Sequence, residues 1–158
     1  PCLRHATMKY WLIKSEPTCY SIEDLRRDKK TGWSGIRNYQ ARNFMRDSMQ
    51  VDDLVIFYHS STNPPSAVGV AHVASTPYAD STALDPKDDH YDPKASAESP
   101  IWMQVDMAFV EKFAQPVPIG AIKANPKLKG IPLTQVGSRL SMQPLLAKHF
   151  EEICRMGR

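Results

Sequence analysis

The six-residue run "LVIFYH", Leu54 to His59, is followed at once by the paired prolines of "STNPPS", and no other stretch constrains the fold as much. Six apolar, β-branched and aromatic residues are too few for a helix and suit a buried strand. Pro64 and Pro65 cannot donate to a central ladder, so the chain must turn there. "AVGVAHVAS", Ala67 to Ser75, then returns as an antiparallel partner, with Gly69 marking a bulge or the close approach of another backbone.

Around this hairpin the pattern stays short-ranged. "KYWLIK", Lys9 to Lys14, reads as a first strand ended by Pro17. Ser21 caps a helix from about Ile22 to Arg27, with Asp24 three residues on. Thr31 to Gly35 is turn-like, and Asn38 to Ser48 suits a second helix with Tyr39, Phe44 and Met45 at apolar positions and Arg42 and Arg46 on one face. The acidic, proline-punctuated stretch Pro77 to Pro100 is long for a connection and reads as a functional or surface-packed loop. "IWMQVDMAFVEKF", Ile101 to Phe113, alternates as a strand, and one helical turn fits Ile119 to Lys123. "GSRLSMQPL" reads as a last extended segment, and Pro144 opens a terminal helix with Leu146, Phe150 and Ile153 along one face. Short strands mixed with short helices, without regular βαβ alternation, indicate an α+β domain on a small curved sheet or barrel.

A chain of 158 residues is about one domain. Pro1 to Thr7 lack the apolar stretch of a secretion signal and read as an expression remnant or a mis-assigned start, so the domain is expected over residues 8–158. No apolar run approaches the roughly 18 residues that cross a bilayer. Cys2, Cys19 and Cys154 form no CxxC pair, which implies a reducing, cytoplasmic compartment. Charge is uneven. Residues 1–50 carry 10 Lys/Arg against 5 Asp/Glu, residues 51–112 carry 3 against 10, and residues 113–158 carry 7 against 2, or +5, −7 and +5. If the basic ends meet in the fold, they form a positive face suited to a polyanion.

The common phosphate-loop, nucleophile-elbow and zinc-protease signatures are missing. "DPKDDHYDP", Asp85 to Pro93, lacks the mid-loop glycine and final glutamate of a calcium hand, so no metal is assigned to it. His59 and Ser60 are neighbours in a strand and point to opposite faces, which prevents them from sharing a proton. No catalytic residue and no cofactor are assigned. What remains is a set of polar and aromatic clusters at element ends: "KSEP", "GWSGIRNYQ", "YHS" and "RLSMQP". Strand ends around a small barrel converge on one mouth, where such groups can define a ligand. Trp33, between Gly32 and Gly35, has an indole free to stack there, although Trp33 and Tyr58 also suit the core.

"YWLIKSEP", "GWSGIRNYQARNFMRD", "VIFYHS", "HYDP", "WMQVDMAFVEKF" and "RLSMQPL" occur in order from Lys9 to the terminal helix, and together they resemble the EVE domain family. The resemblance implies a PUA-like fold, a curved β pseudobarrel of about five or six strands surrounded by short helices. It also implies a non-catalytic reader of modified nucleic-acid bases, chiefly modified cytosine such as 5-methylcytosine in DNA. The partner is then DNA or RNA carrying the modified base, with a restriction-type or other effector protein, and the chain is a monomer. It would sit at the nucleoid in a bacterium and in the nucleus of a eukaryote. Carried over by position, the base-binding residues are Lys14, Ser15, Glu16, Trp33, Asn38, Tyr39, Gln40, Tyr58, Ser60, Ser141 and Gln143. Arg37, Arg42 and Arg139 are assigned to phosphates. Asp52 stands where relatives more often carry glycine, a change expected to alter a turn and leave the pocket alone.

In this scheme Trp33 stacks on the base with Tyr58 as a second wall, and Asn38 or Ser15 reads the Watson–Crick edge. Ser60 or Glu16 would meet a polar substituent, while Lys14 joins the arginines at the phosphates. Two other classes fit the same residues: a small hydrolase with Glu16 as general base, and a protein interaction module without a ligand.

Overall fold

The computed structural model describes residues 8–135 and 140–158. Seven strands are present among these residues: β1 (Tyr10–Ser15), β2 (Lys30–Trp33), β3 (Leu54–His59), β4 (Ser66–Val73), β5 (Tyr78–Ala79), β6 (Met103–Pro118) and β7 (Met142–Leu145). They form one open mixed sheet in the order β2-β6-β4-β3-β1-β7, with the two-residue β5 paired to β6 off this path. Only the β1–β3 pair is parallel. A parallel pair needs a crossover, and residues 16–53 supply it with α1 (Ile22–Asp28), β2 and α2 (Tyr39–Asn43).

Both faces of the sheet are covered, which explains why β3 reads as an unbroken apolar run. On one face Trp11, Ile13, Val55, Phe57, Val105 and Met107 pack under α1, α2 and the turn after it. On the other, Leu12, Ile56, Tyr58, Val70 and Phe113 pack under α3 (Ile119–Ala124), the single turns that follow it and α4 (Ala147–Gly157). The period-two alternation of a strand thus assigns Phe57 and Tyr58 to opposite layers.

Local chemistry starts the helices. Ser21 Oγ accepts the Asp24 N–H at 3.1 Å and the Asp24 carboxylate accepts the Ser21 N–H at 2.9 Å, a reciprocal cap worth about 1 kcal/mol. Asn38 Oδ1 accepts the Ala41 N–H at 3.0 Å and opens α2, which passes directly into a π-helical turn, Phe44–Ser48. The wider turn separates Arg42 from Arg46: Arg42 bonds to the Ile101 carbonyl and Arg46 to Asp47, so the two do not form the single cationic face expected of them.

Several sequence expectations are corrected. Thr31 to Gly35 is not a simple turn, because its first residues belong to β2, with Trp33 opposite Val105. Pro144 does not start the terminal helix; it lies in β7 opposite Trp11, at the sheet edge where a missing donor goes unnoticed. Leu146 is exposed at the helix cap, and the buried stripe of α4 runs instead through Phe150, Ile153, Cys154 and Gly157. β6 continues past Phe113 through Pro116 and Pro118. Ile119 donates its N–H to the Pro65 carbonyl at 2.9 Å, so odd positions face β4 and the prolines face away from it.

Gly69 carries both meanings its position suggested. Register shifts flank it in the β4–β6 ladder, and a Cβ there would lie 2.5 Å from the Glu111 carbonyl oxygen. Asp52 adopts φ 75°, the left-handed region that favours glycine, in the turn before β3. Among the described residues no helix is long and apolar enough to cross a membrane.

Candidate base-binding site

The crossover returns its loops over the end of β1, and there a cavity of about 470 Å³ opens. Lys14, Ser15 and Glu16 line it from the end of β1, Trp33 from β2, and Gly35, Arg37 and Asn38 from the connection to α2. Ser141 closes the wall from the segment before β7, whose carbonyl accepts the Lys14 N–H at 2.8 Å.

Trp33 is half-buried. Its ring meets Phe57 at 5.6 Å and Tyr20 at 6.0 Å, both nearly perpendicular, so its neighbours hold it through edge contacts. Edge-to-face packing fixes the plane of an indole while leaving part of it uncovered.

The polar groups on the wall have definite hydrogen-bonding roles. Ser15 donates its hydroxyl proton to the Tyr20 carbonyl and is left as an acceptor. Asn38 uses its carbonyl oxygen on the Ala41 N–H, so only its NH2 group remains to donate. Burial lowers the pKa of the Lys14 amine. Glu16 is exposed at the rim, with the Cys19 thiol 3.8 Å from its carboxylate.

Arg37 is the structural organiser of this rim. It bonds to Asp80 at 3.0 Å, to the Thr82 hydroxyl at 3.1 Å and to the His90 carbonyl at 2.8 and 3.1 Å. Asp80, fully buried, also accepts the Gly35 N–H at 2.8 Å. Burial pushes the Asp80 carboxyl up, but the bonds from Thr82, Gly35 and Arg37 outweigh it and hold the pKa below the ordinary value. The long loop is thereby tied to the cavity, and its His90 ring becomes part of the wall. Gly35 makes this possible: at φ +83° a Cβ would stand 3.1 Å from His90 Nε2.

The acidic loop owes its composition to turn-making. Asp80, Asp85, Asp88 and Asp92 each accept the N–H two residues on, and Asp92 also holds the Trp102 indole N–H at 2.7 Å.

Of the residues assigned to the base from sequence, Lys14, Ser15, Glu16, Trp33, Asn38 and Ser141 line one cavity. Tyr58 and Gln143 do not; both are buried, Tyr58 among Leu12, Ile56 and Val70 of the second layer. Ser60 donates its N–H to the Ser15 carbonyl behind the wall, while Tyr39 and Gln40 are exposed outside it. Arg37 and Arg42 are engaged within the protein, and Arg139 lies outside the described residues. Sequence reading missed Tyr20 and His90 as wall residues. The glycine at 35 was the available signal for His90, since a missing side chain marks where another group approaches.

A profile of the EVE domain matches residues 9–156. Thymocyte nuclear protein 1 of Danio rerio is 40% identical over 159 residues, covering 89% of this chain and 68% of that protein. A hypothetical protein of Leishmania major superposes with a TM-score of 0.90 at 42% identity, covering 95% of this chain and 94% of that one. The human THYN1 protein, crystallised in complex with DNA containing 5-methylcytosine, superposes with a TM-score of 0.87 at 32% identity, covering 95% and 98%. The sheet and its helices are accordingly an α+β fold of the PUA-like kind, and the chain belongs to the EVE domain family.

Proposed function

We propose that this protein is a non-catalytic reader that takes one modified base of a nucleic acid, a modified cytosine in DNA, into the Trp33 cavity. The observation that carries the reading is an indole held edge-on by Phe57 and Tyr20 in the wall of a recess of about 470 Å³, beside defined donors and acceptors. That volume suits a planar heterocycle, since small-molecule sites span about 300–1,000 Å³. The human relative crystallised with 5-methylcytosine DNA supports the choice of nucleic acid.

The chemistry of the wall supports cytosine. Its Watson–Crick edge offers one donor and two acceptors; Ser15 or Glu16 can accept, while Lys14 and the Asn38 NH2 can donate. Removing a base from a duplex costs a few kcal/mol, and stacking on Trp33 returns roughly 1–3 kcal/mol. One buried methyl adds about 0.8 kcal/mol, or roughly fourfold in affinity. Discrimination beyond fourfold therefore requires hydrogen bonds that the wrong base leaves unmade. Bound to DNA, the protein would be nuclear in a eukaryote.

The test is a titration of wild type and Trp33→Ala with modified and unmodified nucleosides and oligonucleotides at two salt concentrations. Backbone contacts weaken with salt and cavity contacts do not. Trp33→Ala is expected to remove discrimination between bases while the fold persists; a folded variant that still discriminates overturns the reading. Mass analysis of the recovered nucleosides is expected to show no turnover.

A further inference from the structure

Beside the cavity, Tyr39 is 59% exposed yet held rigidly. Its ring stacks on Trp102 at 4.7 Å and 29°. Trp102 is buried and fixed in turn, with its N–H on Asp92 at 2.7 Å and the Arg37 guanidinium 5.3 Å from its ring. Arg42 lies 4.9 Å from the Tyr39 ring and 5.9 Å from the Trp102 ring. A guanidinium capping the outer face of Tyr39 would stand from Trp102 at nearly the sum of the two shorter separations. The three distances instead close a compact triangle, so Arg42 flanks the pair and the outer face of Tyr39 stays open. Three of the five N–H directions of Arg42 go to Ile101 and Asn43, which leaves the guanidinium in place with donors to spare.

Tyr39 follows Asn38, a wall residue of the cavity. We infer that the outer face of Tyr39 is a second stacking position, for the nucleobase next to the one that enters the Trp33 cavity, with Arg42 beside it to meet the connecting phosphate. The inference rests on the base-reader reading and deepens it: the ligand is at least a dinucleotide, and the neighbouring base contributes to affinity without contributing sequence. A flat ring whose conformational freedom is already lost to Trp102 suits that role, because stacking accepts any base and orders nothing further. The platform adjoins the cavity, since a single peptide step separates the wall residue Asn38 from Tyr39.

The experiment compares wild type, Tyr39→Ala, Tyr39→Phe and Tyr39→Leu. The probes are 5-methyl-2′-deoxycytidine and a single-stranded trinucleotide with 5-methylcytosine at its centre and 2-aminopurine on one side, each flank tested in turn. Tyr39→Ala and Tyr39→Leu are expected to weaken the trinucleotide about 5- to 150-fold, the range that stacking of one base spans, and to relieve quenching of the 2-aminopurine. Tyr39→Phe should retain both, and nucleoside binding should be equal in all four proteins. Equal trinucleotide affinity in wild type and Tyr39→Ala overturns the inference, as does a surface that captures only protein partners. Failure of the cavity reading looks different: the nucleoside does not bind, or binds Trp33→Ala equally, while the Tyr39 dependence of the trinucleotide persists. A wild type that binds neither probe overturns both.

Discussion

Arg37 and Asp80 are 43 positions apart in sequence and 3.0 Å apart in the fold, with the carboxylate fully buried. The pair joins the segment carrying Trp33 and Asn38 to the acidic loop carrying His90, and so helps hold the two walls of the cavity together. Removing one member of a buried pair leaves the other desolvated, which typically costs about 3–5 kcal/mol. Arg37→Ala is therefore expected to lower the unfolding free energy by about 3 kcal/mol or more in denaturant titrations. Arg37→Lys should recover only part of this, because a single ammonium cannot meet Asp80, Thr82 and the His90 carbonyl together.

The depressed pKa of Asp80 carries a pH dependence of definite sign. Its folded-state pKa lies below the unfolded value, so its contribution to stability is complete above about pH 4 and is lost as pH falls through the folded-state pKa. Asp80→Asn should flatten the acid limb of a stability profile measured below pH 4.

His59 acts in the neutral range. Its Nε2 accepts the Ile22 N–H at 3.1 Å at the start of α1, which requires a neutral ring. Burial, and secondarily the charge of Lys112, lowers its pKa. The stability it contributes is full above about pH 6.5 and declines as pH falls through the folded-state pKa. His149, lowered by burial and by Lys148, adds a second contribution of the same sign. Urea titrations between pH 5 and 8 should show this decline, with a smaller slope in His59→Gln.

Two backbone positions give opposite outcomes. Gly35→Ala forces a side chain into φ +83° and against His90, with an expected loss of about 1–2 kcal/mol and weaker nucleoside binding. Asp52→Gly removes a similar strain at φ 75°, partly offset by glycine's greater freedom when unfolded. It should raise stability by about 0.5–1 kcal/mol in thermal melts and leave nucleoside affinity unchanged.

Much of the fold was legible because its causes are local. The Ser21–Asp24 cap, the β3 run and the turn at the paired prolines are each set by residues within a few positions of one another. Elements whose pairing comes from afar were not legible. Lys30 to Trp33 form a strand only because β6 lies beside them, more than 70 residues on. Pro144 obeyed the sheet-edge rule over the helix-start rule because β1 offered it a partner.

The site divides in the same way. Residue types alone identified the Lys14–Glu16 corner, Trp33 and Asn38 as a cluster at element ends, and six ordered motifs identified the family. Composition could not tell which layer a strand residue faces, nor whether an arginine is already spent on an internal partner. Those outcomes depend on long-range pairing: Tyr58 was buried against Leu12 and Val70 of the second layer, and Arg37 was claimed by Asp80. Sequence by itself determined which groups this protein has available and the local turns that present them. Only the tertiary structure decided which of them share a cavity, because burial and hydrogen-bond partnership arise where distant segments meet.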